Sequence, residues 1–290
     1  MLSIMLFIGV ALSATMLSSP AAEEVDDLPR KEEDDEDELQ SIDAFLSGGA
    51  DQSGDAISDS DQVIFAGDGD DAVTTGSGDD YLHGEDGNDV LTAQGGNDEL
   101  HGGAGDDRLT GGAGEDSLFG HIGDDVMFGG SGDDQLIGGD GADQLHGDSG
   151  DDRLQGYLGD DVLDGGMGSD AVFGGSGDDH LSGGTDELRD YLNGGSGDDT
   201  LIAGANDHLS GGAGADTFVF RDSGATHVVD FDPDEDRVEL AYDADGEVPA
   251  VGYQENDEGV VLFANGEAIA TFEGLTKLDM ASVPVVFLPS

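Results

Sequence analysis

The chain has 290 residues, and its 68 acidic side chains stand against eight basic ones for a net charge of −60. Such a surface repels nucleic acid and anionic membrane, which argues against both as partners. Cysteine is absent, so there is neither a disulfide framework nor a thiolate metal site, and 51 glycines leave little room for long helices.

Residues 1–22 form a hydrophobic segment, with Met1–Leu17 apolar and Ser18-Ser19-Pro20-Ala21-Ala22 behind it. Read as a secretory leader it has a cleavage position near Ala21 or Ala22, but its start carries no Lys or Arg. Read as a membrane anchor it is short, about 24 Å against a hydrocarbon core of ~30 Å. A buried capping helix is the third reading. Residues 23–47 follow as an acidic, disordered linker, densest at Glu32-Glu33-Asp34-Asp35-Glu36-Asp37-Glu38. Residues 48–65 hold fragments of a repeat (Gly48-Gly49, Ile57, Asp61, Ile64) and are expected to cap what comes next, since terminal repeats of solenoids are atypical.

From 66 to 219 one nine-residue phrase occurs seventeen times, as in Gly102-Gly103-Ala104-Gly105-Asp106-Asp107-Arg108-Leu109-Thr110. Position six is always aspartate and position eight always apolar; the first thirteen copies, through Ser182, keep perfect register. A fixed period of this kind marks a solenoid. The glycine-rich first six positions are expected to turn, and the last three to form a short strand with one side chain inward. Two phrases then make a coil of about 18 residues, and coils stack in parallel at about 4.8 Å.

Stacked turns place the position-six aspartates in two ladders, where neighbouring carboxylates repel by roughly 1 kcal/mol per pair even in bulk water. A divalent cation between successive turns relieves that repulsion, with carboxylates and turn carbonyls as ligands. Calcium suits such a site, because it takes six to eight oxygens in flexible geometry where magnesium demands a tight octahedron. One apolar residue in nine is a thin core. The metal-free chain is therefore expected to be marginal or unfolded, and ion binding to supply the missing stability.

The phrase resembles the nonapeptide of RTX (hemolysin-type calcium-binding) proteins. That resemblance implies a right-handed parallel β-roll, a calcium-stabilised solenoid with many Ca2+ ions in its turns. It implies a ligand role for Asp71, Asp80, Asp89, Asp98, Asp107, Asp116, Asp125, Asp134, Asp143, Asp152, Asp161, Asp170, Asp179, Asp190, Asp199, Asp207 and Asp216. Departures fall at position two, which is Glu85, Gln94, His121, Asp148 or Tyr157 in five copies, where weaker binding is expected. The copy at Gly183 carries two extra residues and the copy at Ala203 lacks one, which singles out Asp190 and Asp207 as the least regular sites.

Residues 220–290 lose the glycine density. Thr217–Phe220, Val228–Phe231, Arg237–Leu240, Gly259–Phe263 and Ala268–Phe272 read as strands of an antiparallel β cap, with Asn265-Gly266 a hairpin signal. Gly214–Phe218, Asp230-Phe231-Asp232-Pro233 and Val285-Val286-Phe287 resemble the carboxy-terminal region of type I secreted proteins, serralysin-like peptidases included. Asp232–Asp236 opens like an EF-hand loop but has Arg237 where glycine belongs and Asp243 where glutamate belongs. His83, His101 and His146 share position nine, which suits strand ends facing solvent better than a zinc site.

No nucleotide fingerprint or zinc-protease motif is present, and near-equivalent aspartates make poor acid–base pairs, so no enzymatic activity is expected. The expected protein is all-β, bacterial, and secreted or held at the cell surface, with calcium ions as its partners and a membrane contact only through an N-terminal anchor. Two other roles fit the same features: a matrix or adhesion rod self-associating through Ca2+, and a carbohydrate-binding module for acidic polysaccharide, accessory to a polysaccharide-modifying enzyme.

Overall fold

The computed structural model describes residues 48–49, 53–55, 58–221, 224–242, 250–276 and 285–289. All belong to one compact unit, Gln40–Ser290. The hydrophobic segment 1–22 and the linker 23–47 lie outside the described residues. Among the described residues no helix is long and apolar enough to cross a membrane.

The chain winds as a parallel β-solenoid. Successive strands alternate between two sheets, one of 13 strands and one of 12, so each strand pairs with the strand after next. The register is the repeat itself: Leu118 stands opposite Leu136, and Met127 opposite Leu145, eighteen residues apart. A coil is therefore two phrases, as the period requires.

Individual strands are longer than the sequence suggests. They run six residues, as in Arg108–Ala113 and Val126–Ser131, and take in positions seven to nine plus positions one to three of the next phrase. Only positions four to six turn. Glycines at positions one and two were expected in the turn, but in a solenoid they serve as strand residues where a neighbouring group comes too close for a Cβ. A Cβ on Gly103 would lie 1.9 Å from the carbonyl oxygen of Glu85, its register partner. Position two has positive φ throughout most of the roll, and Glu85, Gln94, His121, Asp148 and Tyr157 adopt it too, at φ 71–83°. The five departures thus keep the backbone geometry of position two within the strand, at the cost of left-handed backbone for a residue with a Cβ.

The interior is two facing ladders of position-eight side chains, from Ile64 through Leu109, Leu145 and Leu181 to Phe218, nearly all fully buried. Between them stand the position-one residues, mostly glycine, also buried. At the amino-terminal end Gly48–Gly49 pairs with Gly67–Asp68, and Ser53–Asp55 with Ala72–Thr74, so the degenerate segment stacks as an outer coil.

The parallel winding also runs beyond the last repeat. Thr217–Phe220, Arg237–Tyr242 and Val285–Pro289 extend one sheet in parallel, and Thr226–Val228 pairs in parallel with Glu267–Glu273 on the other. Among the described residues only Val251–Glu255, Gly259–Ala264 and Glu267–Glu273 pair antiparallel, with Asn265 and Gly266, both at positive φ, turning the last hairpin. The antiparallel cap is accordingly shorter than the strand run 217–272 suggests.

Candidate metal-binding site

The seventeen position-six aspartates form two continuous ladders, and the structure buries them rather than leaving them on the rim. Each is at most 3 % exposed. One carboxylate oxygen has a fixed task. Asp125 Oδ1 accepts the backbone N–H of Asp107, one coil back, at 2.8 Å. The same bond recurs from Asp89 accepting Asp71 N–H to Asp216 accepting Asp199 N–H. The insertion and deletion do not break it: the bonds to Asp190 and Asp207 span 20 and 17 residues, with the difference absorbed in loops.

The second oxygen is different. In eleven consecutive copies, Asp89 to Asp179, and again in Asp199, Oδ2 is buried without a hydrogen-bond partner. It rests over position one of its own phrase, which is glycine in all of these copies except that of Asp98, where Ala93 stands; a Cβ on Gly102 would meet Asp107 Oδ2 at 2.2 Å and a Cβ on Gly111 would meet Asp116 Oδ2 at 2.3 Å. Position-four carbonyls stack nearby in the turns: Gly105 approaches Gly87 O so closely that a Cβ there would sit 2.1 Å from it.

Unpaired buried carboxylates are costly, and burial shifts their titration upward. Burial pushes Asp125 up to about 7; the Asp107 N–H opposes the shift, and the charges of Asp107 and Asp143 add to it. Asp107, Asp134 and Asp179 are pushed to about 7 for the same leading reason, and Asp190, which also faces Asp207, Asp170 and Asp186, to about 8.

These residues fit a hard cation. A row of desolvated oxygens lacking donors, nearly all of them over a position-one glycine, is an oxygen-only environment with excess negative charge. Among the described residues no three carboxylates or imidazoles converge as ligands of one metal, so the set on offer is carboxylate pairs completed by backbone carbonyls. Histidine contributes elsewhere. His101 Nδ1 is 2.9 Å from His121 Nε2, its Nε2 is 2.9 Å from Glu99, and its ring stacks with Phe119 and His83, all on the outer face of the 13-stranded sheet.

Two sets of functional residues escaped the sequence reading. Position five carries exposed Asp or Asn whose Oδ1 accepts the N–H one coil onward, as Asp106 does from Asp124 and Asp160 from Asp178. The two acceptor rows thus point in opposite directions along the roll. Short side chains at position five were the available signal, since Glu115 at that position is too long to repeat the bond. The second is Asp236, which continues one ladder after the repeats end: Oδ1 accepts Asp216 N–H at 2.9 Å and Oδ2 accepts Asp232 N–H at 2.7 Å. The EF-hand-like run is therefore a ladder terminus. The other ladder closes on neutral residues, with Gln62 donating to Asp80 at one end. At the other end Gly204 N–H caps Asp207 Oδ2.

The RTX calcium-binding nonapeptide repeat model matches in nine overlapping segments that together run from residue 58 to 218. Among solved structures the chain matches the extracellular lipase LipA from Serratia marcescens at 18 % identity and a TM-score of 0.31, over 79 % of this chain and 40 % of the lipase chain. This chain thus spans less than half the length of that lipase. No curated protein sequence matches it. With the repeat model covering more than half of its residues, the chain belongs to the RTX calcium-binding nonapeptide repeat family.

Proposed function

We propose that this protein is an extracellular calcium-binding module that folds when it reaches millimolar calcium, with the position-six aspartates from Asp71 to Asp216 as its carboxylate ligands. One observation carries the reading: the unbroken row of buried Oδ2 atoms without hydrogen-bond donors, from Asp89 to Asp179, all but that of Asp98 above a position-one glycine. When bound, calcium supplies positive charge and a demand for six to eight oxygens. From Asp89 to Asp179, and again at Asp199, each aspartate supplies one oxygen without a donor, and its Oδ1 bond to the preceding coil holds that oxygen in place. At calcium twenty times the dissociation constant of a site, binding adds about 1.8 kcal/mol per site, and a dozen or more sites outweigh a thin core. In a cytosol kept at low calcium the same carboxylates repel one another and the chain stays unfolded. The family's link to type I export supports a secreted or surface setting.

The near-equivalence of the ladder carboxylates supports a binding role rather than catalysis. A second reading, a matrix or adhesion rod, draws support from the exposed position-five carboxylates Asp106, Asp124, Asp133 and Asp151, which line the edges where calcium could bridge two rolls. Far-ultraviolet circular dichroism during a calcium titration, alongside calorimetry, tests the principal reading. Strand signal is expected to appear with calcium and to vanish in chelator at neutral pH. A strand signal indifferent to chelation, or no heat on titration, overturns it. Calcium-dependent association in sedimentation would mark the rod.

A further inference from the structure

On the outer face of the 12-stranded sheet, several departures from the repeat fall close together. A cleft of about 250 Å³ opens there, lined by His146, Asp148, Asp164, Met167, Ser182 and Arg221 among others. His146, Asp164 and Ser182 are register partners on three adjacent strands, all at position nine, and Asp148 stands opposite Gly166 on the first two. Asp164 is the one acidic residue among the seventeen at position nine. Asp148 takes position two with left-handed backbone, φ 71°, where glycine is the rule. Thr185, from the two-residue insertion, joins the lining. A regular array that departs from its pattern at several neighbouring positions is where function is expected.

The polar groups there are unspent. Asp164 Oδ1 is buried and has no hydrogen-bond partner. Ser182 Oγ accepts Gly184 N–H at 3.1 Å, which leaves its own hydroxyl proton to donate. Arg221 forms no ion pair among the described residues. The cleft thus offers carboxylate acceptors, a guanidinium donor, hydroxyls that do both, and an apolar wall from Met167, 60 % exposed.

We propose that this cleft binds one neutral hexose unit, free or at the end of a glycan. Hydroxyls satisfy Asp164 and Asp148 as donors and Arg221 and Ser182 as acceptors, and the C–H face of the ring lies on Met167. The volume falls below the roughly 300–1,000 Å³ usual for drug-sized ligands, which suits a single ring. A free anion is disfavoured by Asp148, Asp164 and the net charge of −60; a free cation is disfavoured by the guanidinium. The site is separate from the aspartate ladders but needs the folded roll.

The experiment is saturation-transfer NMR with calorimetry on the full chain in millimolar calcium, using D-glucose, D-galactose and D-mannose, with D-glucuronate and glycine as comparators. At least one neutral hexose is expected to bind with a millimolar dissociation constant. Asp164→Asn, which puts a donor where an acceptor is needed, and Arg221→Gln are each expected to weaken it tenfold or more, while Glu99→Gln on the opposite sheet leaves it unchanged. Circular dichroism verifies that both variants fold, and Arg221, being exposed, is the safer of the two. Binding of glucuronate or glycine alone, binding of no hexose, or binding that survives both substitutions overturns the proposal. Each of those outcomes leaves the calcium titration untouched.

Discussion

The central coils and the carboxy-terminal region solve the same stacking problem with different means. Along the roll each phrase contributes one apolar side chain to the interior, and from Asp89 to Asp179 each also contributes one buried carboxylate oxygen without a donor. After Thr217 the interior thickens: Phe218, Phe220, Phe231 and Phe272 make tilted and edge-on ring contacts at 4.9–6.2 Å, backed by Val238, Leu240, Val260, Leu262 and Ile269. There the ladder ends with both oxygens of Asp236 hydrogen-bonded. One region buries charge that a bound ion would neutralise; the other is held by burial and by its own amides.

Removing calcium should break the comparison open and is the largest effect expected. Hydrogen exchange in chelator at neutral pH should erase protection from Leu82 to Leu201 while strands 237–242 and 259–273 keep more of theirs. Uniform loss or uniform retention would mean the two regions do not differ in kind. Core truncation comes next. In calcium, Leu145→Ala should cost about 2–5 kcal/mol and Phe272→Ala about 3–5, by thermal or denaturant unfolding. In chelator the first should have no further effect on the residual structure, and the second should abolish it.

Glycine substitutions sharpen the contrast at smaller scale. Gly111→Ala puts a Cβ 2.3 Å from Asp116 Oδ2, so either the carboxylate shifts or the coils part. A loss of roughly 1–3 kcal/mol is expected, together with one weakened ion site in calorimetry. Gly252→Ala, in the antiparallel region, meets nothing within 4 Å and should be close to neutral. Equal costs at the two positions would remove the cradle from the argument.

How much of this was legible beforehand follows from what the period carries. The 18-residue coil, the Leu82-to-Leu209 interior and the two Asp ladders are direct consequences of a nine-residue repeat. Strand length was not legible. Glycine's poor local propensity says turn, and only the approach of Glu85 O to Gly103, a contact between coils, shows why glycine belongs in a strand. The burial of position six was hidden for a related reason: a carboxylate suggests a solvated rim until the bond from Asp107 N–H to Asp125 draws it in. Asp236 was missed because its link to Asp216 spans 20 residues and lies outside the phrase.

Acid should partly substitute for the ion. With their folded values raised to about 7 in Asp125 and Asp134 and about 8 in Asp190, against an ordinary carboxylate value of 3.8, these groups bind more protons in the folded state than in the unfolded one. Their burden on the metal-free fold is absent below the unfolded value and complete above the folded value. Metal-free stability should therefore rise as pH falls from about 8 towards 4, while calcium affinity drops over the same range because binding must expel protons. Chelated protein followed by circular dichroism at pH 7.5 and 4.5 tests the sign, and a strand signal that declines with acid would contradict it.

The finest distinction is between two aspartates of one ladder. Asp125→Asn keeps an Oδ1 acceptor for Asp107 N–H but removes the charge and the free oxygen, so bound calcium should fall by about one ion in calorimetric stoichiometry. Asp236→Asn has no free oxygen to lose. Its amide puts a donor where Asp232 N–H now donates, which costs one charge-assisted hydrogen bond, about 1.5–3 kcal/mol, and should leave the ion count unchanged. If both variants lost an ion equally, Asp236 would be a ligand like its neighbours, and the ladder would end on a bound cation instead of on its own backbone.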